Sequence, residues 1–146
     1  MTECCDSHTK GAMSAIITKN GDLLEPTCEW LECNMDPSVM SIAAINGPNQ
    51  IVISGHMDAI VSFEKILKSH PNVRTTKRMQ QVSHAFHSPL MREASIAFYG
   101  KAASIFAQAN LSPKYPIISN VTGRKVPISL FITILYCVII CLDATR

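Results

Sequence analysis

Apolar and polar positions along this chain switch repeatedly between two periods. Residues 11–17 (GAMSAII) form a short apolar run that fits a strand. Residues 21–33 (GDLLEPTCEWLEC) fit a short helix, with Asp22 as its cap and Pro26 tolerated in the first turns. Residues 40–46 (MSIAAIN) and 50–55 (QIVISG) are rich in β-branched side chains, and Gly47-Pro48-Asn49 between them is a turn signal. Together they predict an antiparallel hairpin. In residues 56–70, Met57, Ile60, Phe63 and Leu67 recur at helical spacing, with Lys65 and Lys68 on the other side. Pro71-Asn72 ends that helix, and residues 73–83 (VRTTKRMQQVS) predict a last strand reaching Val82. The order β-α-β-β-α-β is the split βαβ, or ferredoxin-like, unit: an antiparallel sheet with two helices on one face.

Beyond this unit the pattern predicts one more helix, over residues 88–110. Ser88 suits its N-cap and Pro89 its first position. Leu90, Ala94, Ala97, Phe98 and Ile105 make its apolar stripe. Residues 115–123 (YPIISNVTG) predict a buried strand running into a turn at Gly123. Residues 126–142 carry no charge. That run sits near the lower limit for a membrane span, about 17–25 apolar residues. Its β-branched content also suits a buried strand or an association-prone end. The expected division is an extension at 1–10, the ferredoxin-like subdomain at 11–82, a further segment at 83–126 and a divergent hydrophobic tail at 127–146.

Charge and cysteines narrow the function classes. The net charge is +2, and the basic residues are scattered apart from Arg74, Lys77 and Arg78. Phosphate binding needs a concentrated basic face, so no nucleic-acid partner is expected. The six cysteines include no C-x-x-C pair, and residues 1–10 contain no apolar signal segment. Reduced thiols in the cytoplasm are expected, with membrane association arising only through residues 127–142.

The chemistry-bearing stretch is VSHAFHSPLM, residues 82–91. His84 and His87 stand at the spacing of one helical turn. A metal site would need a third and a fourth ligand. Cys28 and Cys33 are not placed to supply them, so no metal is expected. A histidine at the junction of a strand and a helix suits proton transfer, because its pKa lies near working pH, and suits an ordinary structural turn as well.

Three stretches in order, MSIAAINGPNQIVISG, VSHAFHSPLM and PIISNVTGRKV, resemble successive motifs of the acyltransferase domain of polyketide synthases. That domain is similar to the malonyl-CoA:acyl-carrier-protein transacylase of fatty-acid synthesis. The resemblance is close over residues 40–126 and looser over 11–33. It implies an α/β-hydrolase-like core with an inserted ferredoxin-like subdomain, an α/β (α+β) fold of which this chain holds a part. It also implies ping-pong acyl transfer. A serine takes malonyl from malonyl-CoA and passes it to the phosphopantetheine thiol of an acyl carrier protein, with no cofactor beyond these. By motif, His87 is the base, Phe86 and His84 line the acyl pocket, and Asn46 lies near the substrate. In the family, H-A-F-H accompanies malonyl and Y-A-S-H accompanies methylmalonyl; the Phe86 ring would crowd an α-methyl branch. The partners implied are the carrier protein and other synthase domains.

The sequence also departs from the family. It contains no G-x-S-x-G elbow, no N-terminal glutamine motif and no arginine to clamp the malonyl carboxylate, and residues 127–146 match nothing in it. The chain therefore carries a base without its nucleophile and is expected to be inactive alone. Two other readings stay open: a catalytically dead interaction fragment that docks carrier or synthase domains, and a small membrane-anchored protein.

Overall fold

The structure, a computed structural model, describes residues 10–108 together with 115, 116, 118 and 123–125. Its elements are β1 (Gly11–Thr18), α1 (Leu24–Asn34), β2 (Met40–Gly47), β3 (Gln50–His56), α2 (Met57–Leu67), β4 (Val73–Arg78) and α3 (Arg92–Gln108), with 3-10 turns at Gly21–Leu23 and Pro89–Met91. The sheet order is β2-β3-β1-β4 and every neighbouring pair is antiparallel. This is the ferredoxin-like arrangement expected from the element order.

Strand β1 is central, and small residues make that position workable. Along it, Ala12, Ser14 and Ile16 pair with Gly55, Ile53 and Ile51 on one face, while Met13 and Ala15 pair with Ser54 and Val52 on the other. The first face meets the helices. Ala12, Ile16, Met40, Ile51, Ile53 and Val73 pack there with Leu31 of α1 and Ile60, Phe63 and Leu67 of α2. Each large side chain in this layer contributes about 1.5–3 kcal/mol on burial. Trp30 closes one end, its ring 5.7 Å from that of Phe63 and 4.4 Å from that of His70. Of the predicted α2 stripe, Ile60, Phe63 and Leu67 are buried and Met57 is partly buried, and Glu64 is buried with them. Its carboxylate is satisfied by the Arg78 guanidinium reaching across from β4.

Three local expectations need correction. Asp22 does not cap α1, whose N-cap Leu23 makes no side-chain bond; Asn20 caps the preceding 3-10 turn, its side chain accepting the Leu23 N–H at 3.2 Å. The last strand stops at Arg78 rather than Val82. There the Met79 N–H still bonds the Met13 carbonyl at 2.9 Å, but the Val82 N–H turns back to the Met79 carbonyl at 3.1 Å. The chain thereby leaves the sheet edge and folds over the second face, where Met79, Val82 and Phe86 cover Met13, Ala15 and Val52. Ser88 has the extended backbone of an N-cap but makes no side-chain cap bond; its hydroxyl donates backwards to the Ala85 carbonyl at 2.6 Å.

Helix α3 forms, yet much of its expected stripe is uncovered. Ala94, Ser95 and Ala102 are buried, whereas Ile96 (63%), Phe98 (39%), Tyr99 (39%) and Ile105 (64%) are exposed. The strand expected within residues 115–123 is represented among the described residues by one antiparallel bridge, Ile118 to Lys125. Ile118 is exposed rather than buried. Gly123 makes the turn with a φ of 64°. The run 126–142 lies outside the described residues, and no described helix is long and apolar enough to cross a membrane.

Candidate active site

The segment from Met79 to Met91 is irregular, and the sheet beneath supplies its rigidity. Gly11, at the start of β1, sits directly under the backbone of His84 and Ala85; a Cβ at Gly11 would overlap the Ala85 amide nitrogen. Only glycine permits that approach. Ala85, Ser88 and Met91 are buried, and the Met91 N–H bonds the Ser88 carbonyl at 3.0 Å. The turn is therefore pinned on both sides of His87.

His87 itself has a φ of 57°, the one positive value at a non-glycine position among the described residues. A left-handed backbone at such a residue costs about 1–3 kcal/mol and persists only where its surroundings impose it. Ser41 of β2 supplies one contact, donating its hydroxyl to the His87 carbonyl at 3.2 Å. The side chain of His87 is half-buried. A half-buried imidazole on a backbone fixed at both ends is suited to taking and returning a proton.

The other predicted residues are distributed around it. His84 lies 2.9 Å, Nδ1 to Oγ, from Ser83. Its ring stands 5.7 Å from that of Phe86. Phe86 packs against the Met13, Ala15 and Val52 layer, so it anchors the turn as well as flanking His87. Asn46 is not brought to His87 by the described contacts. It is exposed, at a register shift between Ile45 and Gly47. At about 3.3 Å per strand residue it stands roughly 16 Å along β2 from Ser41. No cluster among the described residues could hold a metal ion. Cys28 is half-buried and Cys33 exposed. Burial, then the charges of Glu32 and Glu25, push the Cys28 thiol up, away from thiolate reactivity.

Sequence reasoning missed Ser41 and Gly11. The glycine that opens GAMSAII was a usable signal, since glycine in a strand often marks close backbone approach. Nothing in the spacing flags Ser41, whose role depends on a contact 46 positions away.

No family model matches the chain. Similarity to individual proteins is extensive. The chain is 35% identical over 116 residues to a polyketide synthase of Streptomyces halstedii, a match that spans 80% of this chain and 2% of the synthase. It is 31% identical over 118 residues to the malonyl CoA-acyl carrier protein transacylase of Bacillus subtilis, covering 81% of this chain and 28% of that enzyme. The crystal structure of the malonyl CoA-acyl carrier protein transacylase from Burkholderia pseudomallei superposes with a TM-score of 0.62 at 31% identity, over 91% of this chain and 42% of that one. The chain thus spans less than half the length of each. Its homologues are polyketide synthases and malonyl-CoA:acyl carrier protein transacylases, and the fold it shares, in part, is that of their acyltransferase domains.

Proposed function

We propose that this chain carries the general base of a malonyl-type acyltransferase, His87, while the nucleophilic serine belongs to a part of the domain outside these residues. The observation that carries the reading is the left-handed, pinned backbone of His87 within the motif H-A-F-H. In the complete domain, His87 takes the serine proton as Oγ attacks the malonyl-CoA thioester carbonyl, and the proton leaves with the CoA thiol. In the second half, His87 takes the proton of a carrier protein's phosphopantetheine thiol. The sulfur attacks the acyl-serine and the serine oxygen recovers a proton. Phe86 and His84 line the acyl pocket, and Asn46 lies near the substrate. The ring of Phe86 disfavours an α-methyl branch by about 1–3 kcal/mol. The reaction needs no resident cofactor or metal. An acyl carrier protein and other synthase domains are the partners, in the cytoplasm. The chain alone transfers nothing.

The test is a chimera in which residues 10–125 replace the matching segment of the Bacillus subtilis transacylase. It is expected to transfer malonyl, and His87→Ala is expected to lower kcat at least about a hundredfold. Phe86→Ser should raise the methylmalonyl-to-malonyl ratio about tenfold or more. An active chimera indifferent to His87→Ala would refute the assignment. The exposed apolar residues of α3 favour a second reading, an interaction fragment that docks on a synthase or carrier domain. Stable binding of the isolated chain to such a domain, with a chimera that never transfers, would select it.

A further inference from the structure

Met13, Ser54 and Ser41 form one row across β1, β3 and β2 on the sheet face beneath residues 79–91. Two of the three are serines, on a face otherwise covered by apolar side chains. Ser54 is fully buried, and its hydroxyl has no hydrogen-bond partner among the described residues. Ser41, directly across from it, spends its hydroxyl on the carbonyl of His87, the one non-glycine residue with positive φ among the described residues. A residue in that conformation returns to an ordinary backbone unless something holds it. The bonds on either side, Ser88 to Ala85 and Met91 to Ser88, fix the ends of the turn, and the Ser41 bond falls on the His87 peptide between them.

We infer that Ser41 is a positioning residue for His87: its hydroxyl, presented by the rigid sheet, holds the His87 carbonyl and so keeps the backbone left-handed and the imidazole at a fixed orientation. Ser41 does not touch substrate; it acts through His87. The inference deepens the base assignment and rests on it for its functional meaning, but the conformational part stands alone.

The experiment uses the full 146-residue chain and an isosteric pair of variants, Ser41→Thr and Ser41→Val. Both substitutions favour a strand, and they differ in the hydroxyl alone. The readouts are the intraresidue amide-to-Hα NOE of His87, strong only when φ is positive, and the line shape of its ring-proton signals. Wild type and Ser41→Thr are expected to give the strong NOE and one sharp set of ring signals. Ser41→Val is expected to weaken the NOE at least about twofold and broaden the ring signals, while the β1 and β3 amide shifts stay native. Ser41→Ala should behave as Ser41→Val. Retention of the His87 signature in Ser41→Val, or its loss in Ser41→Thr with the sheet intact, would overturn the inference. A chimera dead to His87→Ala whose kcat drops about tenfold in Ser41→Val, KM unchanged, would support both assignments; the loss expected is that of about one hydrogen bond. Loss of the His87 signature in Ser41→Val, with a chimera indifferent to His87→Ala, would sink the base reading and leave the positioning intact.

Discussion

The two faces of one sheet are covered in different ways. One face lies under α1 and α2, and its contacts are large aliphatic side chains buried to 0%: Ile16, Ile51, Ile53, Leu31, Ile60 and Leu67. The other lies under an irregular segment that contributes Met79, Val82 and Phe86, none fully buried, and holds its place by backbone approach and single hydrogen bonds. The first face is built for stability. The second trades apolar burial for a defined backbone path, and it is the face that carries His87. Strand β1 serves both through small residues, since larger ones would close the gap that His84 and Ala85 occupy.

This contrast can be broken from either side. The largest effect is expected from Ile53→Ala on the helical face, a loss of about 2–5 kcal/mol in chemical denaturation. Val52→Ala, its neighbour on the other face, should cost only about 1.5 kcal/mol. Equal losses would erase the distinction. Next, Gly11→Ala should cost about 1–3 kcal/mol through overpacking. Hydrogen exchange would then show residues 82–91 opening while α1 and α2 stay protected. Uniform loss of protection would mean that the segment is part of the main core.

Smaller effects come from charge. Burial alone would raise the Glu64 carboxyl, but the hydrogen bonds and charge of Arg78 outweigh it and hold the group below its ordinary value of 4.5. The stability it contributes is present above 4.5 and lost as pH falls through the lower folded value. Glu64→Ala should cost about 1–2 kcal/mol at neutral pH, discounted because Arg78 is partly in solvent. The variant should also denature with a flatter acid limb; an unchanged limb would place the acid sensitivity elsewhere. The smallest effect concerns His70, whose partly desolvated ring titrates below its ordinary 6.5. Its Nδ1 accepts the Asn72 N–H at 3.3 Å, so protonation removes an acceptor beside Trp30. Stability from this contact is complete above 6.5 and declines as pH falls through the folded value. His70→Gln should flatten that decline in a thermal melt series, and an identical slope would count against it.

The contrast also explains what the sequence revealed. The α2 stripe and the 40–55 hairpin were legible because each is a local pattern backed by strong burial. Strand β1 was the weak case: GAMSAII is strand-like only because partners on both sides make it so. Arg78 as the end of β4 was hidden, since no Gly or Pro marks the stop and the apolar Met79 and Val82 beyond it serve the other face. Glu64 escaped because a buried charge is visible only with its partner 14 residues away. For the site, the histidines were legible as residue types in a motif. The left-handed backbone and the Ser41 contact were not, because both depend on where the sheet places β2 beneath the turn. The stripe of α3 was visible in sequence, but burial needs a second surface, and none of the described residues supplies one for Phe98 or Ile105.

The most direct test of a base without a nucleophile is intact-mass spectrometry of the full chain after incubation with malonyl-CoA, followed by addition of a phosphopantetheinylated carrier protein. The expected result is an unmodified chain and no malonyl on the carrier. A stoichiometric malonyl adduct on a serine of this chain, discharged to the carrier thiol, would contradict it.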